Sequence, residues 1–107
     1  MVEVCYHNEH FRVTVDGHAG SGEYGHDLVC AAVSALCITL GENVQQLKRQ
    51  GVVRDVVVEL KDGHAEVSCV PVRKYKSVVR IVFNTVMTGF EAVSKLDQSR
   101  VKISEYV

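Results

Sequence analysis

No Cys-x-x-Cys pair occurs in the sequence, neither charge sign dominates, and Pro71 is the one proline. Each lack excludes a class of function. With 12 Lys and Arg against 13 Asp and Glu, and the basic residues scattered along the chain, no direct nucleic-acid or anionic-membrane binding is expected. Without Cys-x-x-Cys, the usual zinc-ribbon and thioredoxin spacings are missing. The apolar run from Leu28 to Leu40 falls short of the ~20 residues that cross a bilayer, so it reads as a core helix. Glu3, His7, Glu9 and His10 leave no basic stretch followed by an apolar one near the start, so no secretory leader is expected and the expected compartment is the cytoplasm. There Cys5, Cys30, Cys37 and Cys69 are expected as thiols, not disulfides. No linker, repeat or low-complexity tract divides the 107 residues, so a single domain, 1–107, is expected. A domain of this size buries only ~60 to 70% of its unfolded surface, which favours a homodimer.

What is there follows two periods. Val2, Val4 and Tyr6 alternate with Glu3, Cys5 and His7, and Phe11, Val13 and Val15 alternate with Arg12, Thr14 and Asp16, the period of half-buried strands. Leu28 to Leu40 predicts a buried helix, capped by Asp27 at its start and closed by Gly41. The valine-rich stretch from Val52 to Leu60 and the alternation of Ala65, Val67 and Cys69 flank Asp62-Gly63, a hairpin signal. Val78, Val82, Val86, Val93 and Leu96 recur every three to four residues, predicting an amphipathic helix from about Lys74 to Leu96, and Val101 to Val107 a last strand. The order ββαββαβ implies a two-layer α+β fold, a mainly antiparallel sheet packed with two helices.

The unusual chemistry lies between Asp16 and Ser34. His18 leaves the end of a strand, a loop rich in glycine follows, and Cys30 arrives in the first turn of the buried helix. Near a helix start a thiol faces unpaired backbone N–H groups and the positive end of the dipole, which favours thiolate. His18 is placed to accept its proton, giving a nucleophile and base. The competing reading is that Cys30, among apolar neighbours, fills core. Ser34, on the same face, is expected as a buried hydroxyl bonded to the carbonyl four residues before it, and Cys37 as packing. The loop Ala19, Gly20, Ser21, Gly22, Glu23, Tyr24 and Gly25 is suited to open and close over an extended chain. Its Gly20-x-Gly22-x-x-Gly25 pattern matches a dinucleotide fingerprint, but His26-Asp27 part the last glycine from the helix and a hairpin follows instead of a parallel strand. No lysine follows the glycines as a phosphate loop requires. His18, His26 and Cys30 lack a recognised zinc spacing, so no metal and no cofactor are expected.

The run Gly17-His18-Ala19, then Gly25, Asp27 and Val29-Cys30-Ala31-Ala32-Val33-Ser34, resembles the ribosomal-processing cysteine protease family called Prp. The resemblance implies a catalytic dyad of His18 and Cys30, with Asp27 and Ser34 as supporting motif residues. It also implies an endopeptidase that removes the short N-terminal extension of large-subunit ribosomal protein twenty-seven, cutting after a pair of aromatic residues. A ribosomal-protein precursor would then be the peptide substrate, a homodimer the working form, and a loop ordered by substrate part of the site. Tyr24 and the apolar surface of the second helix are candidates for holding the aromatic residues. The alternative of another class is a ribosome-assembly module that binds the extension without cutting it.

Overall fold

The protein is described by a computed structural model covering residues 1–17 and 28–107. Its elements are β1 (Val2–His7), β2 (Arg12–Asp16), α1 (Leu28–Arg49), β3 (Val53–Lys61), β4 (His64–Pro71), a short 3-10 turn (Arg73–Tyr75), α2 (Lys76–Leu96) and β5 (Val101–Tyr106), in the expected order. The five strands form one sheet in the order β3-β4-β2-β1-β5. All neighbours are antiparallel except β1 and β5, which run parallel. The α+β class therefore stands.

Alternation sorts the side chains into two layers. Val4, Tyr6, Val13, Val15, Val67 and Cys69 are buried on one face, with Val33, Leu40 and Val44 of α1 and Val79, Phe83 and Phe90 of α2 in the same core. The opposite face carries polar residues such as Arg12 and Glu66, whose ion pair (3.3 Å) bridges β2 and β4. In β3 the alternation breaks at a bulge between Arg54 and Val57, where Asp55 takes a positive φ of 52°. The extra residue explains why Val53 and Val56, three apart, both turn toward the core. Phe11 precedes β2 instead of opening it and also has a positive φ, 48°. An aromatic residue tolerates this costly backbone when burial holds it. Phe11 is buried, edge-on to Phe83 (5.8 Å between ring centres) and under the Arg80 guanidinium (4.9 Å).

The first helix corrects one expectation. Gly41 does not end it, and α1 continues to Arg49, 22 residues in all. Val44 and Leu47 continue the stripe of Leu40 and Cys37, so the chain gains burial by staying helical. Gly41 is instead a contact point, since a Cβ there would lie 3.0 Å from Val58 Cγ1 of β3. The true stop is Gly51, with φ 75°. The Gly51 N–H donates to the Lys48 carbonyl and the Val52 N–H to the Leu47 carbonyl, the paired bonds of a left-handed helix cap. The added turns also make α1 long and apolar enough to cross a membrane by length and composition. In this fold one stripe, Val29, Val33, Cys37, Leu40, Val44 and Leu47, is buried against the core, while Leu28 and Ile38 are exposed, so the helix is buried on one face and not all round as expected.

Candidate active site

At one end of the molecule the first half of α1 stands over the end of β2 and the tip of the β3–β4 hairpin. Between them lies a cavity of about 270 Å³. Cys30, Ser34 and Ile38 line it from α1, Leu60, Asp62 and Gly63 from the hairpin, and Val2, Val15 and Gly17 from the floor and edge. Gly63 makes the hairpin possible by taking a φ of 79°. Its carbonyl accepts the Gly17 N–H at 2.9 Å, which ties the end of β2 to the hairpin tip. Gly17 itself has φ 103°, and a Cβ there would meet the Met1 carbonyl oxygen. The chain therefore leaves β2 at the cavity edge by a path that only glycine follows without strain.

Burial sorts the cysteines. None of the four is in a disulfide. Burial pushes the Cys37 thiol up to about 11 and the Cys69 thiol up to about 12, so both are protonated at neutral pH and serve as packing. Cys5 is half-buried in the middle of β1, on the sheet face away from the helices. Cys30 is half-buried, borders the cavity, and is the third residue of α1. The backbone N–H groups of that first turn have no acceptor one turn earlier within the helix, so donors and a thiol share one corner.

Histidine is sorted by the pleat. His64 borders the cavity but opens β4 on the polar face, in register with Asp16 and alternating with inward Ala65. Its Nδ1 lies 2.5 Å from Asp16 Oδ1 and its Nε2 3.7 Å from Glu59 Oε1. His7 stacks on Tyr106 (5.1 Å) at the far end of β1. Among the described residues, no histidine ring lies on the helix face of the sheet beside Cys30. The Asp16 hydrogen bond raises the His64 pKa above its ordinary 6.5, with Glu59 and Glu66 adding to the effect. A raised folded value means the pair stabilises fully below about pH 6.5 and loses that contribution as pH rises through the folded value. Asp16→Asn should therefore flatten the decline in melting temperature that the wild type shows over that range. Parallel profiles from thermal melts at successive pH values would mean the pair contributes nothing.

Of the residues singled out from the sequence, Cys30 and Ser34 come together on the cavity wall. Ser34 is exposed at the rim and not buried as expected, because this part of α1 overhangs the opening. The second helix contributes no residue to the lining of this cavity. His18, Asp27 and the loop from Ala19 to Gly25 lie outside the described residues. Ile38, Leu60 and Asp62 were not singled out from the sequence. Asp62-Gly63 was visible as a turn, but only the pairing of β4 with β2 carries that turn to Cys30. Among the described residues, no three of His, Cys, Asp and Glu group as metal ligands.

A family model described as "Cysteine protease Prp" matches residues 1–102. A curated Staphylococcus aureus protein, "Ribosomal processing cysteine protease Prp", is 67% identical over 24 residues, which are 22% of this chain and 23% of that relative's length. The crystal structure of an essential ribosomal processing protease Prp from S. aureus, in complex with a covalently linked product peptide, superposes with a TM-score of 0.73. It is 23% identical, with 97% of this chain and 96% of that one covered. A Streptococcus mutans crystal structure matches with a TM-score of 0.66 at 27% identity, covering 98% and 91% of the two chains.

Proposed function

Because this chain belongs to the cysteine protease Prp family, we propose that it is an endopeptidase that cuts its substrate by acyl transfer to Cys30. The substrate in this reading is the N-terminal extension of large-subunit ribosomal protein twenty-seven, cut after aromatic residues. The observation that carries the reading is the position of Cys30, in the first turn of α1 and on the wall of a cavity whose edge is Gly17. His18 is the next residue in the sequence. The rings of His7 and His64 are turned elsewhere, and the resemblance of Gly17-His18-Ala19 to the family motif supports His18 over His26 as the base.

In the reaction His18 takes the proton of Cys30, and the thiolate attacks the scissile carbonyl. The N–H groups at the start of α1 stabilise the oxyanion. The C–N bond then breaks, His18 protonates the departing amine, and water hydrolyses the thioester to free the acid and the thiol. Asp27 supports the site by capping α1, and Ser34 supports it from the rim one turn after Cys30. Val15, Val33, Ile38 and Leu60 make an apolar wall suited to an aromatic side chain. The enzyme acts in the cytoplasm, as a homodimer, and uses no cofactor.

Mass spectrometry of a synthetic peptide spanning the extension boundary tests this. Wild type should release the extension with the new carboxyl end after the aromatic pair, and His18→Ala should slow release at least ~100-fold, the lower range for loss of a general base. Binding without cleavage would move the protein to the assembly-module class.

A further inference from the structure

The basic residues that the sequence scatters are gathered by the fold. Lys48 and Arg49 end α1, Arg54 is the second residue of β3, Arg73 and Lys74 lie in the 3-10 turn, and Lys76 opens α2. These are six of the 12 Lys and Arg, and all six are exposed. Backbone bonds hold the three segments together: Val52 N–H to the Leu47 carbonyl, and Val72 N–H to the Val52 carbonyl, each 2.9 Å. Asp55 is the one acid in these segments, paired with Arg54 at 2.8 Å. Among the described residues, the other five cations enter no ion pair.

Stability does not explain the grouping. Lys48 and Arg49 suit the negative end of the α1 dipole, but Arg73, Lys74 and Lys76 crowd the positive end of α2, whose first turn holds no acid. Cations there are unfavourable, because the unpaired N–H groups of a helix start carry partial positive charge. From Cys30 to Lys48 the helix rise is about 27 Å, so the patch is remote from the cavity.

We propose that this end of the molecule is a docking surface for the phosphate backbone of RNA, holding the protease on a ribosomal particle while the opposite end takes the peptide. The choice of RNA as partner rests on the ribosomal-processing reading above; the patch itself does not. Fluorescence anisotropy with a labelled RNA duplex of about 16 base pairs, long enough to span two grooves, measures the interaction across a salt series. The triple variant Arg73→Glu, Lys74→Glu, Lys76→Glu should bind at least tenfold more weakly. It should also flatten the slope of log affinity against log salt by about 3, one for each cation removed.

Cleavage of the free peptide should be unchanged in that variant, which reports its fold. The corresponding triple glutamine variant replaces it if charge reversal impairs folding. Binding that survives both variants overturns the proposal, as does equal binding to polyglutamate. Binding to vesicles of phosphatidylglycerol and phosphatidylcholine but not to RNA overturns it in favour of a membrane. If wild type binds RNA through the patch but never cuts the peptide, the protease reading fails and the docking surface stands.

Discussion

Replacing Cys30 by alanine should abolish peptide cleavage while leaving the melting temperature within a few degrees of wild type. The two halves of this result have separate causes. A nucleophilic sulfur has no substitute once removed, and loss of the attacking group in a covalent mechanism lowers kcat by roughly 10⁴-fold or more. Stability is insulated because Cys30 is half-buried on a cavity wall, so deleting one sulfur opens no enclosed void. The expected destabilisation is therefore ~1 kcal/mol or less, the range of a partly exposed site. Cys37→Ala is the control. That thiol is buried on the same helix face and pushed up to about 11, so its loss should cost stability and spare the chemistry. Initial rates and circular-dichroism melts on both variants decide the matter. An active Cys30→Ala protein would place the nucleophile elsewhere, and an unfolded one would return Cys30 to the core.

Phe83→Ala should be the most destabilising single change among the core aromatics. Phe83 has no exposed surface, stacks on Tyr6 at 5.9 Å and meets Phe11 edge-on at 5.8 Å. Truncating a buried phenylalanine costs ~3 to 5 kcal/mol when the cavity cannot collapse. Here the neighbouring rings are held by β1 and by the buried turn that leads into β2. For a domain of this length that corresponds to a fall in melting temperature on the order of 15 to 30 °C. It is also a large share of a total stability of ~5 to 15 kcal/mol. Phe11 would lose the contact that offsets its positive φ, so backbone strain adds to the loss. Urea denaturation should show a lower midpoint with the same slope. A loss under ~1 kcal/mol would mean that the three rings repack, contrary to the close packing described.

The strands and the second helix are readable in the sequence because one face of each is buried. Val4 and Tyr6, or Val13 and Val15, cannot be shifted by one residue without turning into solvent. The end of α1 is not readable in the same way. A glycine that caps a helix and a glycine that admits a close strand have the same one-letter code, and Gly41 is the second kind while Gly51 is the first. The site divides along the same line. Cys30 stands out because a thiol near a helix start has local chemistry, and the shared face of Cys30, Ser34 and Cys37 follows from helical spacing alone. Leu60 and Asp62 carry no local signal. They reach the cavity because β4 pairs with β2, with Asp16 opposite His64, and a choice of strand partner is a property of the whole sheet. The patch of cations was hidden for the same reason, since residues 48–54 and 73–76, distant in sequence, meet only where β3 begins and β4 ends.

The parallel pairing of β5 with β1 sets a condition on synthesis. Val2 and Val15 floor the cavity, and β1 sits between β2 and β5, with Val2 opposite Val101 and His7 opposite Tyr106. Until the last strand has emerged from the ribosome, β1 has one open edge and its buried valines lack part of their cover. Contacts so distant along the chain form late. A nascent chain should thus carry the nucleophile well before it carries a finished cavity, and the site becomes competent only after β5 has emerged to pair with β1.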